Sequence, residues 1–299
     1  MKVLSIGEIL WDVFPDKEFL GGAPLNVCAN LRRAGDEAAL LSAVGDDVRG
    51  QAVLDAMASL GLSKEFMQVV RGAATGTAVV GKDGRGEPTF TIKRPAAFDA
   101  FELTHQEMEK IEAFAPDWLY MGTLLQTDAR MEKLIEELGK RMPSARRFYD
   151  MNLRTGHWNL ALVGRLCEHA TVLKLNDVEA EILAKQTGLA EGGFEMESFC
   201  RQWSQRFGIE LICVTLGAAG CLVYKDGKAE RFAGNKVQVA DTVGAGDAFA
   251  AAFLHGYHRG WSLARCAAFA NALGSLVASR AGATPVWRME ECEAIVQPC

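Results

Sequence analysis

Four short apolar runs, at Trp118 to Met121, Arg147 to Met151, Val172 to Leu175 and Leu211 to Thr215, alternate with helical patterns from about residue 104 onward. Parallel strands need long crossovers, and a helix is the usual one. The alternation therefore predicts a three-layer α/β/α sandwich on a mainly parallel sheet, with ligands bound beyond the carboxyl ends of the strands. At 299 residues the chain has room for one such domain, taken as residues 1–299, with a small appendage.

The appendage is predicted from a change of pattern. Between Thr75 and Phe98, two β-prone runs, Thr77 to Val80 and Thr89 to Lys93, flank the turn-forming Asp83-Gly84-Arg85-Gly86 and read as a hairpin. With residues near Trp11 to Leu20 they form a small β-sheet lid, drawn from about 11–22 and 75–98. The stretch Gly76 to Lys82 imitates most of a Walker A loop. Asp83 stands where that loop requires Ser or Thr, and a hairpin strand is the wrong setting for a strand-to-helix loop, so the match is set aside.

A net charge of −6 with both signs scattered argues against a nucleic-acid surface and disfavours anionic membranes. The chain enters a strand at Val3 to Ile6 and meets Glu8 and Asp12, unlike a signal peptide. The apolar helix Leu263 to Ala278 contains Arg265 and Asn271 and reads as a core helix, not a membrane span. Eight cysteines without a Cys-x-x-Cys pair fit reduced thiols, and the expected location is cytoplasmic. His255 and His258 share a helical face but lack a third metal ligand at convincing spacing.

The chemistry centres on Asp241-Thr242-Val243-Gly244-Ala245-Gly246-Asp247-Ala248-Phe249. Lys236 to Val239 alternates like a strand and Ala251 to Leu254 continues as a helix, so the glycines fall at a strand-to-helix corner. Free amides and the dipole at a helix start attract anions, which suits a phosphate. A dinucleotide fingerprint is incomplete here: Phe249 replaces its third glycine, and Trp261 to Asn271 lacks the acid expected roughly 20 residues on. An isolated Asp247 would read simply as a first-turn acid. Agreement with distant segments changes that reading.

The corner at 241–247, together with Gly21-Gly22-Ala23-Pro24-Leu25-Asn26 near the start, resembles the two signatures of the ribokinase-like (PfkB) carbohydrate kinases, and the resemblance covers essentially the whole chain. Gly7-Glu8-Ile9-Leu10-Trp11-Asp12-Val13-Phe14-Pro15 and Asp150-Met151-Asn152-Leu153-Arg154 look most like bacterial fructokinases within that family. The resemblance implies that Asp247 accepts the proton of the sugar hydroxyl while the amides of Gly244, Ala245 and Gly246 hold the charge on the transferred group. Phosphoryl transfer depends more on positioning and charge neutralisation than on a strong base, so a carboxylate at a helix start suffices.

The resemblance further implies sugar contacts from Asp12, Gly22 and Asn26. Asp12 taken alone reads equally as a turn cap, and Gly22 as a plain turn glycine. Leu10 stands where the ribokinase pattern has Asn, which argues against ribose. Arg154 matches a phosphate-bridging position, against the reading of a surface ion pair. Asn176-Asp177-Val178-Glu179 resembles the family's Asn-x-x-Glu motif, implying that Glu179 tunes magnesium through water; helix capping would explain the same residues.

Thr215-Leu216-Gly217-Ala218-Ala219-Gly220 resembles the family's nucleotide loop, although a simple strand turn would explain it too, so the resemblance adds Thr215, Gly217 and Gly220 to Asn176 as nucleotide-side candidates. Asn271 is a further adenine-side candidate, or a buried amide satisfying the core. The resemblance also makes Asp241 and Val243 candidates for a monovalent-cation loop that would take potassium. These expectations describe a kinase taking ATP, Mg2+ and a small-molecule sugar, with D-fructose as acceptor, acting as a monomer or homodimer. A 2-keto-3-deoxygluconate kinase, a ribokinase and a nucleoside kinase are the alternatives within the family; for a sugar acid, Lys93 or Arg94 would supply the extra cation. A non-catalytic sugar-binding regulator is the alternative from another class, and it would need no base beside an anion site.

Overall fold

A computed structural model describes residues 1–82 and 88–296. The chain opens with strand β1 (Lys2–Ile6), then β2 (Leu10–Val13) and β3 (Glu18–Gly21), and enters helix α1 (Ala23–Arg33). Strand β4 (Glu37–Gly45), helix α2 (Val48–Ser59) and strand β5 (Met67–Val70) follow, then the hairpin strands β6 (Gly76–Lys82) and β7 (Pro88–Lys93). The proposed turn at 83–86 lies outside the described residues.

Helices and strands then alternate: α3 (His105–Phe114), β8 (Trp118–Gly122), α4 (Ala129–Arg141), β9 (Arg146–Asp150), α5 (Leu160–Cys167) and β10 (Val172–Asn176). Two helices, α6 (Asp177–Gln186) and α7 (Met196–Phe207), precede β11 (Leu211–Thr215), which leads into the hairpin β12 (Cys221–Lys225) and β13 (Lys228–Phe232). Helices α8 (Ala245–His258), α9 (Leu263–Ala278) and α10 (Met289–Ile295) close the chain.

The large sheet has the order β13-β12-β11-β10-β9-β8-β1-β4-β5, and every pairing from β11 to β5 is parallel. Only β12 runs against its neighbours. Successive residues of each strand point to opposite faces, and both faces are buried. Leu4, Leu41, Leu119, Tyr149, Leu173 and Ile212 pack with residues of α3 to α7, whereas Val3, Leu40, Trp118, Phe148, Val172 and Leu211 pack with α1, α2, α8 and α9. This double burial explains near-continuous apolar strands and gives the three-layer sandwich predicted from sequence. The smaller sheet, β3-β2-β6-β7, stands beside it.

Two readings of the sequence change. Lys236 to Val239 is irregular, not a strand, because the chain leaves the sheet there and the amides of Ala240 and Asp241 bond to the carbonyl of Ala278 at the end of α9. Asp12 lies within β2, not at a turn. The hairpin β12–β13 and the long buried strand β4 carry no alternation that would have announced them. The Walker-like residues Gly76 to Lys82 form a strand paired antiparallel with β7, so they make no phosphate loop. His255 is tied to the buried Asp36 at 2.7 Å, and His258 accepts from the Trp118 indole at 3.2 Å. The seven cysteines among the described residues are free and buried, and no helix there is long and apolar enough to cross a membrane.

Candidate active site

Helix α8 starts on Gly244, whose φ of 78° lies in the left-handed region. A Cβ there would sit 2.4 Å from the carbonyl oxygen of Ala283, so only glycine lets the loop pass. The loop is stapled by Asp241, which accepts from the amides of Val243 at 3.0 Å and Gly282 at 3.2 Å. No side chain caps α8, which leaves its start open to an anion. Of the three amides expected in the cradle, that of Ala245 is directed to the Thr242 carbonyl, at 3.3 Å.

Asp247 occupies the first turn of α8 and faces α1, which packs against it. The amide nitrogen of Asn26, on α1, donates to Asp247 Oδ2 at 2.8 Å. Asn26 is 3 % exposed, and its Oδ1 is buried without a partner among the described residues. A buried carbonyl oxygen without a donor costs free energy unless a ligand supplies one.

Both residues line a cavity of about 280 Å³ with Glu8, Asp12, Gly22 and Arg154, and Leu10, Ala78 and Ile92 of the small sheet supply an apolar wall. Gly22 has a φ of 111°, and a Cβ there would lie 2.5 Å from the Glu8 carbonyl, so this glycine serves the packing of the start of α1 on the segment between β1 and β2 as well as the cavity. Burial pushes the Asp12 carboxyl up to about 6; Arg154 opposes this, while Asp241 and Asp247 add to it. Burial raises Glu8 to about 7, opposed by its own backbone amide, Arg154 and Arg94 and reinforced by Asp247.

The end of β10 is built around Glu179. Its carboxylate accepts from the amides of Leu153 at 2.7 Å and Asn176 at 2.8 Å, while Asn176 Oδ1 accepts from the Glu179 amide at 2.8 Å. This is a capping box that also grips the segment leading to Arg154. Arg154 itself is exposed and has no ion-pair partner among the described residues. By contrast, Arg94 is held by both oxygens of Asp99, by the Leu124 carbonyl at 2.8 Å and by Thr127. Lys93 is exposed. Neither lines the acceptor cavity, so neither supplies the free cation that a carboxylated acceptor would require.

A second cavity, of about 420 Å³, lies on the other side of the corner and is lined by Thr215, Gly217, Gly220, Phe249 and Asn271. The Asn271 amide donates to the Ala233 carbonyl at 3.1 Å, so this side chain anchors the segment after β13. The two cavities share Thr215, Thr242 and Gly246. They meet at the glycine corner, beside Asp247.

Sequence reasoning missed Lys174. It lies on β10, 7 % exposed, with its Nζ 3.0 and 3.2 Å from the two oxygens of Asp150, which also accepts from Tyr120 Oη at 2.9 Å. A Cβ on Gly246 would lie 3.2 Å from the same Nζ, so the ammonium reaches the corner. Its signal was a lysine inside an otherwise apolar strand.

Comparison with known proteins agrees with this geometry. The family profile described as pfkB family carbohydrate kinase matches residues 7–289. A fructokinase of Vibrio alginolyticus is 28% identical, covering 94% of each chain, and one of Salmonella typhimurium is 30% identical over 85% of this chain and 83% of its own. The crystal structure of a fructokinase with bound ATP from Xylella fastidiosa superposes with a TM-score of 0.83 at 24% identity, covering 99% of this chain and 98% of the other. Sheet order, glycine corner and match along nearly the full length lead to one conclusion: the chain belongs to the pfkB family of carbohydrate kinases.

Proposed function

We propose that this sugar kinase uses ATP to phosphorylate a hexose, with D-fructose as acceptor and fructose 6-phosphate as product. The observation that carries the reading is the meeting of two cavities at Gly246, with Asp247 at their junction. One cavity is small and rich in carboxyl and amide groups, which suits a polyol; the other is larger and mainly apolar, which suits a nucleotide base. The similarity to fructokinases supports fructose over other acceptors.

In this reading Asp247 takes the proton of the acceptor hydroxyl, and Asn26 fixes the orientation of the carboxylate. The uncapped start of α8, with Gly244 and Gly246, faces the phosphoryl group in transfer, and Arg154 is the uncommitted cation that neutralises it. Asp12 and the free Oδ1 of Asn26 hold sugar hydroxyls. Thr215, Gly217 and Gly220 border the nucleotide. Both oxygens of Glu179 already accept backbone amides, so Glu179 would hold a phosphate-bound magnesium through water, and the ion would supply charge neutralisation there. The loop stapled by Asp241 and containing Val243 is our candidate for a potassium-dependent element.

The small sheet forms one wall of the acceptor cavity, and we assign it the part of a lid that excludes water, which would otherwise compete as acceptor. The test is ADP formation over a panel of neutral sugars, sugar acids and nucleosides with magnesium and ATP, with and without potassium. Fructose should give the highest kcat/KM, and Asp247→Ala should abolish its turnover; unchanged turnover in that variant removes the proposed base.

A further inference from the structure

Glu8 is a third carboxyl group in the acceptor cavity, beside those of Asp12 and Asp247, and neither the fold nor the transfer chemistry assigns it work. It is 6 % exposed, it lines the cavity beside Asp12 and Asn26, and no other residue donates a hydrogen bond to its carboxyl group among the described residues. Buried polar groups are normally satisfied, so a carboxyl met only by its own backbone amide and the unpartnered Asn26 Oδ1 in one cavity mark where ligand hydroxyls belong. The cation balance around them points the same way. Lys174 is committed to Asp150 and Arg94 to Asp99, leaving Arg154 as the cavity's uncommitted cation among the described residues.

We propose that Glu8 is a specificity-determining residue that hydrogen-bonds a hydroxyl of a neutral sugar and excludes acceptors bearing a carboxylate. This deepens the hexose-kinase reading and rests on it. A protonated carboxyl both donates and accepts, which matches a hydroxyl, whereas a sugar acid would bring a like charge or force proton uptake in a poorly solvated site. Asp12 and Asp247 place further carboxyl groups in the same cavity, and Arg154 is required for the transferred group, so no cation remains to receive the acid.

Covering Glu8 with a neutral sugar removes its last contact with water and favours the protonated form further. Binding then takes up a proton, and the acceptor KM rises as pH passes about 7, with Arg154, Arg94 and Asp247 the charged groups that bear on Glu8. The experiment measures kcat and KM for D-fructose and 2-keto-3-deoxygluconate from pH 6 to 8, in wild type and Glu8→Gln. Wild type should show an acceptor KM for fructose that rises above pH 7. Glu8→Gln should flatten that rise and shift the kcat/KM ratio toward the sugar acid by about tenfold, the effect of one lost charge repulsion worth about 1.4 kcal/mol. A flat KM in wild type overturns the proposal without any need for a variant, as does an unchanged profile and acceptor ratio in Glu8→Gln. Turnover of fructose with either of those results leaves the hexose-kinase reading standing; failure of wild type to phosphorylate any neutral sugar overturns both.

Discussion

Asn26 and Asp247 stand 221 residues apart in sequence and 2.8 Å apart in space, where the α1 amide donates to the α8 carboxylate. The bond orients one oxygen of the proposed base and leaves the other for a substrate proton. Asn26→Leu removes the donor with little change in size. A hydrogen bond to a charged group contributes about 1.5–3 kcal/mol, so kcat should fall roughly 10- to 100-fold. Asn26→Asp should do worse, because it places a like charge against Asp247. Steady-state kinetics with fructose separate this from a mere loss of sugar affinity, which would raise KM and leave kcat alone.

Glu8 should also make stability depend on pH in a direction opposite to most carboxylates. Its folded value, about 7, lies above its ordinary 4.5 because burial penalises the charge. Between those values the folded chain holds the proton more tightly than the unfolded chain, so stability falls as pH rises from about 4.5 to 7 and then levels. The contribution lost is roughly 3 kcal/mol. Urea denaturation at pH 5 and pH 8 should show Glu8→Gln gaining stability over wild type at pH 8 and little at pH 5. An equal difference at both would place the Glu8 effect outside its ionisation.

Much of this site was legible before the fold because its residues sit at chain corners with strong local rules. Asp247 and Gly244 were found through a glycine turn before a helix, and Glu179 through an Asn-x-x-Glu start that forms a capping box. Glu8 was visible only as a charge after the first strand, since nothing local says that its side chain turns inward. Strand β4 escaped because a continuous apolar run has no period to separate strand from buried helix. Lys236 to Val239 misled for the reverse reason: an alternating pattern specifies a strand only where a neighbouring strand pairs with it, and here the next amides go to α9. The partnership of Lys174 with Asp150 depends on β10 lying beside β9, which is tertiary information.

Gly22 should resist substitution for reasons of the backbone alone. Its φ of 111° is strained for any L side chain, and a Cβ would approach the Glu8 carbonyl to 2.5 Å. Gly22→Ala should cost about 1–3 kcal/mol from the backbone conformation, with more from the contact. The displaced segment carries Glu8, so thermal unfolding should drop together with a rise in the acceptor KM. A normal melting temperature with normal KM would mean that the junction relaxes freely.

The pair Lys174–Asp150 offers the sharpest separation of stability from chemistry. Asp150 is fully buried and burial raises its carboxyl to about 6, with Lys174 the main opposing influence. Lys174→Met leaves that carboxylate with Tyr120 alone, and breaking a buried pair from one side costs about 3–5 kcal/mol. Adding Asp150→Asn removes the orphaned charge, so the double variant should recover most of the lost stability in urea. Turnover should behave differently. The Lys174 ammonium reaches Gly246 at the corner, and the double variant still lacks it, so kcat should stay depressed after stability has returned. Recovery of both together would show that Lys174 acts on the corner only by holding Asp150 in place.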